Sequence, residues 1–262
     1  MNLKERQFLI NRISDLADRA YFKNIITHTV FLNLYEQTIF QSISASLQVS
    51  HKMLGGYDYA ERKIVCFFSC DFEEIEDSEF VDLLHINNKN TKFADKLSHR
   101  DYLGAIMNIG IERHMVGDIC IFDDQAYVYV LKAVSNIITD SLTDVKHNKV
   151  TVTKTDFKSI DFNNNIKEKN INIASNRLDS IVSSVYNISR TKANILIDSD
   201  KVFINSKLIN THSKSLNTDD IVSVRGLGRF IYSDIEKTSK KGRLIVKITV
   251  SYTHLTLPTK RI

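Results

Sequence analysis

Arg177, Ser189, Arg190 and Lys192 crowd the starts of two amphipathic segments in the stretch SNRLDSIVSSVYNISRTKANILIDSDKVFIN, residues 175–205. The first turn of a helix already carries a positive partial charge and amides without intrahelical partners, so it favours acidic neighbours. Cations gathered there are unfavourable in the isolated chain. Joined to a hydroxyl and free amides, they suit a phosphate. Farther along, SVRGLGRF sets Arg225 and Arg229 around Gly226 and Gly228, the turn in FINSKLI carries Asn205 and Lys207, and Lys240, Lys241 and Arg243 surround Gly242. Paired glycines admit positive φ and a close backbone approach to a ligand, although Gly-x-Gly alone is a weak signal. Any one of these cations reads equally well as part of a solvated basic face; their recurrence at successive corners favours phosphate binding by the set.

The elements needed to hold them are legible. Leu178, Ile181, Val182 and Val185 fall at i, i+3, i+4 and i+7, which predicts a helix with one buried stripe and Arg177 off that stripe. Ser189 is a plausible N-cap for a second helix whose Ala193, Leu196 and Ile197 face inward. KVFINSKLI reads as strand, turn and strand; a further strand ends at Arg225, and Leu244, Val246, Ile248 and Val250 alternate along a last one. Charge follows the same division. Residues 172–250 carry 13 Lys/Arg against 7 Asp/Glu, whereas residues 1–171 carry 20 against 24, so the overall +4 hides a basic module on an acidic partner.

The chain as a whole reads as α+β. Residues 1–75 form a helix-rich domain, with Phe8, Leu9, Ile13, Leu16, Ala17 and Ala20 at helical spacing, further helical positions from Phe31 to Leu47, and a small strand pair that includes Ile64–Phe68 after the Gly55-Gly56 turn. Residues 76–156 read β-α-β-β-α-β: strand 81–86, helix 100–109, strands 118–122 and 126–130 around an Asp123-Asp124 turn, a helix with Leu131, Val134, Ile138, Leu142 and Val145 in phase, and a strand at 150–152. That order suits a split βαβ sandwich of RRM-like type, with helices on one sheet face and the other left open. Tyr127 and Tyr129 are the obvious stacking candidates on it, and read more readily as ordinary strand tyrosines. The Asn- and Lys-rich residues 157–173 read as a linker, 174–250 as the basic module, and 251–262, with the sole proline Pro258, as translated adapter sequence rather than natural protein.

Several classes drop out. No apolar run reaches the ~18 residues of a membrane span, and MNLKERQFLINRISDLADR is a charged amphipathic start rather than a signal peptide, so no membrane is expected and the cytoplasm is. Cys66, Cys70 and Cys120 match neither a zinc site nor a disulfide framework, and the histidines lack metal-ligand spacing; neither a metal nor a cofactor is expected, and a monomer is.

The sequences RLDSIVSSVYNISRTKANILIDSDKVFINSKLI, DDIVSVRGLGRF and KKGR together resemble the S-four RNA-binding domain, the small αL-type module named after a protein of the small ribosomal subunit. GGYDYAERKIVCF and HRDYLGAIMNIGIERHMVGDI further resemble the YlmH family of bacterial proteins that end in that domain; Asp198-Ser199-Asp200 stands where such domains usually carry a turn glycine. The resemblance implies a ribosome-associated protein that binds ribosomal RNA, with tRNA a further candidate. Arg177, Ser189, Arg190, Lys192, Arg225 and Arg229 stand where the family's module meets RNA. It also implies binding of large subunits that still carry a peptidyl-tRNA, in rescue of stalled translation, and an association with cell-division genes. Two alternatives are an rRNA-modifying enzyme and a division scaffold. Asn176-Arg177-Leu178-Asp179 lies inside the binding module, where Asp179 reads as a helix-end acceptor rather than a pseudouridine-synthase nucleophile. An unrecognised active site would fall on His99, Arg100, Asp101, Glu112, Arg113 and His114, residues that more often cap and pair. The expected protein is therefore not an enzyme.

Overall fold

Apolar spacing at the start of the chain produces helix α1 (Leu3–Lys23), which buries Ile13, Ala17 and Ala20; Phe8, assigned from sequence to the same stripe, is 69% exposed. The structure is a computed structural model that describes residues 3–58, 60–69, 75–89, 95–122, 125–157, 166–238 and 243–251. The chain divides into two compact units, 1–160 and 161–262.

In the first unit, β1 (Thr27–His28) is followed by α2 (Leu34–Ile43). Asn33 fixes the start of α2 with a capping box: its side chain accepts from the Tyr35 and Glu36 amides, while Glu36 accepts from the Asn33 amide. β2 (Ser50–Leu54) and β3 (Ile64–Phe68) complete an antiparallel sheet ordered β1-β3-β2, three strands where the sequence suggested two. Its core joins Ile13, Ala17 and Ala20 to Phe40, Val65 and Phe67.

The rest of that unit runs β4 (Val81–Asn88), α3 (His99–Asn108), β5 (Val116–Phe122), β6 (Gln125–Leu131), α4 (Lys132–Ser141), β7 (Asp144–Val145) and β8 (Asn148–Thr155), with sheet order β5-β6-β4-β8-β7 and antiparallel neighbours throughout. Alternation sends Leu84, Ile86, Val128, Val130, Val150 and Val152 to one face, against Ile106 of α3 and Ile138 of α4. Val145 does not continue the second helix as its phase suggested. The helix ends at Ser141, and Lys146, at φ 54°, turns Val145 into a short hairpin with β8. The proposed Asp123-Asp124 turn lies outside the described residues.

The other face of this sheet is covered at one end. Tyr129 is fully buried between Tyr57 and Phe157, with ring centroids 5.2 and 5.8 Å away. Buried Asp118 on β5 holds the covering loop, accepting from the Tyr57 hydroxyl and from the Glu61 and Arg62 amides. Gly56 permits the approach, since a Cβ there would come within 2.2 Å of the Tyr129 ring.

The second unit starts inside the stretch read as linker. Residues 166–173 form β9 (Ile166–Ile173), which pairs along its whole length with the last strand; Ile171 and Ile173 are buried, an alternation too short to stand out amid Asn and Lys. Then come α5 (Leu178–Tyr186), α6 (Arg190–Asp198), β10 (Val202–Ile204), β11 (Lys207–Leu208), β12 (Asp220–Val224), β13 (Gly228–Thr238) and β14 (Leu244–Ser251), in a sheet ordered β11-β10-β12-β13-β14-β9. Leu178, Ile181, Val182 and Val185 are buried as their spacing requires, with Ala193 and Ile197 from α6 and Val222, Phe230 and Val246 from the sheet. At Asp198-Ser199-Asp200 the left-handed position falls on Asp200, φ 56°, a residue type that tolerates it without glycine. Of the tail, Ser251 ends β14 and residues 252–262 lie outside the described residues.

Candidate nucleic-acid interface

The two helix starts do converge, through an acid. Arg177 is the N-cap residue of α5, and its guanidinium turns forward to grip Asp179 with two 3.2 Å hydrogen bonds. Arg190, the first residue of α6, donates to the same carboxylate at 2.9 Å, and the Ser180 amide adds a further bond at 2.8 Å. The Asp179 side chain is 3% exposed, while those of Arg177 and Arg190 are 39% and 52% exposed. Burial alone would push this carboxyl up; the bonds from Arg177, Arg190 and Ser180 outweigh it and hold the carboxyl down at about 2. The cluster is thus two guanidiniums on one carboxylate, a net single positive charge with both cations half open to water.

This answers the electrostatic objection to cations at helix starts: an acid in the first turn of α5 compensates the helix end and anchors them. It also corrects two expectations. The cations are not free of internal pairing, and the first amides of α5 are not free for a ligand. The Leu178 and Asp179 amides donate to the Lys214 and His212 carbonyls, in a loop that Asn176 fastens through the Leu216 backbone. Nothing in the sequence of that polar loop marked it as a cap.

Ser189 is the N-cap of α6, accepting from the Lys192 amide at 3.2 Å, and the Lys192 side chain is exposed. Substituting Ser189 by alanine should lower the stability of the second unit by about 1 kcal/mol, measured by urea denaturation. Asn205, with Ser206, forms a turn with positive φ at both residues; its amide donates to Asp220 and its carbonyl accepts from the Ile221 amide, so the side chain is occupied in shaping the turn. Lys207 is exposed on β11.

The glycine hairpin sits apart from the helix starts in its contacts. The Arg225 amide donates to the Lys201 carbonyl, and its exposed guanidinium lies over the Phe203 ring, 5.3 Å from the centroid. Gly226 and Gly228 take φ of 83° and 108°; a Cβ on Gly226 would meet nothing, so backbone conformation alone calls for glycine there. Arg229 departs from the sequence reading. It lies within β13 opposite Ser223 and is 4% exposed, because strand pairing draws it inward where a loop would have presented it. Arg243 is exposed just before β14, and Lys240 and Lys241 lie outside the described residues.

Of the candidate catalytic residues, Asp101, Glu112, Arg113 and His114 cap or pair. Asp101 is bonded to Ser98 in a capping box and to Lys146 at 2.9 Å, and these contacts, that of Ser98 foremost, hold its carboxyl at about 2. His114 lies 3.2 Å from Glu112, and Arg113 donates to the Val116 and Gly117 carbonyls. Among the described residues no helix is long and apolar enough to cross a membrane.

Residues 75–159 match the family model described as "Putative RNA-binding domain in YlmH". Over 219 residues the chain is 29% identical to the "Ribosome-associated protein quality control protein P2" of Bacillus subtilis strain 168, spanning 82% of this chain and 83% of that one. Among solved structures it is similar to the "Cell division protein ylmH from Streptococcus pneumoniae", with a TM-score of 0.52 and 15% identity over 62% of this chain and 97% of that chain, a likeness of fold.

Proposed function

We propose that the chain is a member of the YlmH family, a reading supported by the match over residues 75–159 and by the Bacillus subtilis relative, and that it is a non-catalytic RNA-binding protein of the cytoplasm that acts on ribosomes. In this reading it engages the large subunit while a peptidyl-tRNA is still attached, in rescue or quality control of stalled translation. The second unit serves as an S-four-type module, and the five-stranded part of the first unit as an RRM-like one. The observation that carries the reading is the Arg177–Asp179–Arg190 cluster. A buried carboxylate presets two guanidiniums, each half exposed, at the mouth of two helices, so that little side-chain entropy remains to be lost when a phosphate oxygen arrives. Lys192, Lys207, Arg225 and Arg243 are further exposed cations of the second unit. The mechanism is positional: cations grip the backbone of a structured RNA, and shape and 2′-hydroxyls supply recognition. The name of the Bacillus subtilis relative supports the ribosomal setting.

The test is co-sedimentation of the purified full chain with ribosomal subunits at low salt, followed by cross-link mapping. Cross-links from the second unit to ribosomal RNA of the large subunit are the expected result. A chain left in the supernatant would defeat the reading, and an interaction that survives ribonuclease would point to a protein scaffold. New modified nucleotides in incubated ribosomal RNA would point to an enzyme.

A further inference from the structure

The sheet face that Tyr129 leaves buried at one end opens along its length. Register places Tyr127 of β6, His85 of β4 and Thr153 of β8 side by side in one row. The next row holds Asn87 opposite Thr151, and beyond it the Lys89 amide donates to the Lys149 carbonyl. In the first row the imidazole of His85 stacks on the Tyr127 ring, with centroids 4.6 Å apart and planes 11° from parallel, and Gln125 bonds the His85 Nε2 at 2.8 Å, which fixes the plane of the ring. Phe122 closes the Tyr127 side at 5.8 Å, tilted by 54°. The opposite face of the imidazole looks toward β8, where the row continues with Thr153, small and exposed; His85 and Tyr127 are themselves half-buried.

We propose that His85 and Tyr127 form the stacking platform for one unpaired RNA base, which enters on the β8 side of His85 above Thr153. This rests on the RNA-binding reading and assigns the first unit its own ligand class, single-stranded RNA, distinct from the structured backbone gripped by the second. The chemistry is that of a two-ring stack extended by a third. A base has a π-face for the imidazole, Asn87, Thr151 and Thr153 offer hydrogen bonds to its edge, and exposed Lys89, four residues or about 13 Å along the strand from His85, is placed for a neighbouring phosphate. A protein ligand would have no use for this gradient from aromatic through neutral polar to cationic rows; a nucleotide chain uses each in turn.

The experiment uses the full chain and two fluorescein-labelled probes of equal length, a single-stranded oligouridylate and an RNA duplex, read by anisotropy. His85→Ala is expected to weaken single-strand binding on the order of tenfold, His85→Phe to restore it, and Thr153→Phe, which fills the slot, to weaken it again, all with duplex binding unchanged. If His85→Ala unfolds the first unit, the pair His85→Phe and Thr153→Phe carries the same comparison. Single-strand binding indifferent to Thr153→Phe overturns the platform, as does a wild type that binds the duplex alone; both leave the RNA-binding reading standing. A wild type that binds neither probe overturns both.

Discussion

Gly56→Ala is expected to destabilise the first unit by about 3 kcal/mol or more, a large effect for one methyl group. Two costs coincide. The backbone at Gly56 has φ 90°, which an L side chain rarely adopts, and the added Cβ would sit 2.2 Å from a Tyr129 ring carbon. That ring has little room to swing aside, because Tyr57 and Phe157 both stack against it and Tyr129 is fully buried. Gly104→Ala is the matched control. Gly104 lies within α3 and a Cβ there meets nothing within 4 Å, so the change should stabilise by roughly 0.5–1 kcal/mol. Urea denaturation of both variants, followed by circular dichroism, checks the contrast; equal stabilities would mean that the Tyr129 cover is loose.

Asp179→Ala should cost the second unit about 2 kcal/mol at neutral pH. Three donors lose their shared acceptor, and Arg177 and Arg190 are left facing each other, although both can turn toward water, which limits the loss. The sign of the pH dependence follows from the depressed carboxyl. With the folded group held at about 2, below its ordinary value near 4, its contribution is fully present above about pH 4 and fades as pH falls toward 2. Wild type and Asp179→Ala should therefore converge in stability across that window and stay apart above it. A constant difference down to pH 2 would remove the ion pairs as the cause.

The helices and strands of both units were largely legible because their apolar residues kept a single period. Leu178, Ile181, Val182 and Val185 form one stripe, and Ser189 is a cap by residue type alone. β9 was hidden by composition, since its two buried isoleucines sit among Asn, Lys and Glu, and only the partner strand β14 makes that stretch a strand. The site was legible as a list and not as an arrangement. Sequence spacing identified the cations and even Asp179 as an acceptor, but the bond from Arg190 to Asp179, 11 positions away, depends on helix packing. The inward turn of Arg229 depends on its strand register, and the His85–Tyr127 stack on a pairing between strands about 40 residues apart. Long-range register has no local signature, so these features could be read only from the folded chain.

The central claim is that half-exposed guanidiniums around Asp179 bind RNA phosphates, and salt dependence measures that most directly. For the full chain on ribosomal RNA, neutralising about six phosphates predicts an affinity loss on the order of a thousandfold between 50 and 200 mM salt. Arg190→Ala should weaken binding by about 1–3 kcal/mol and reduce the slope of log affinity against log salt by about 1. An unchanged slope in that variant, accompanied by a fall in melting temperature, would show Arg190 to be a structural partner of Asp179 and contradict the account.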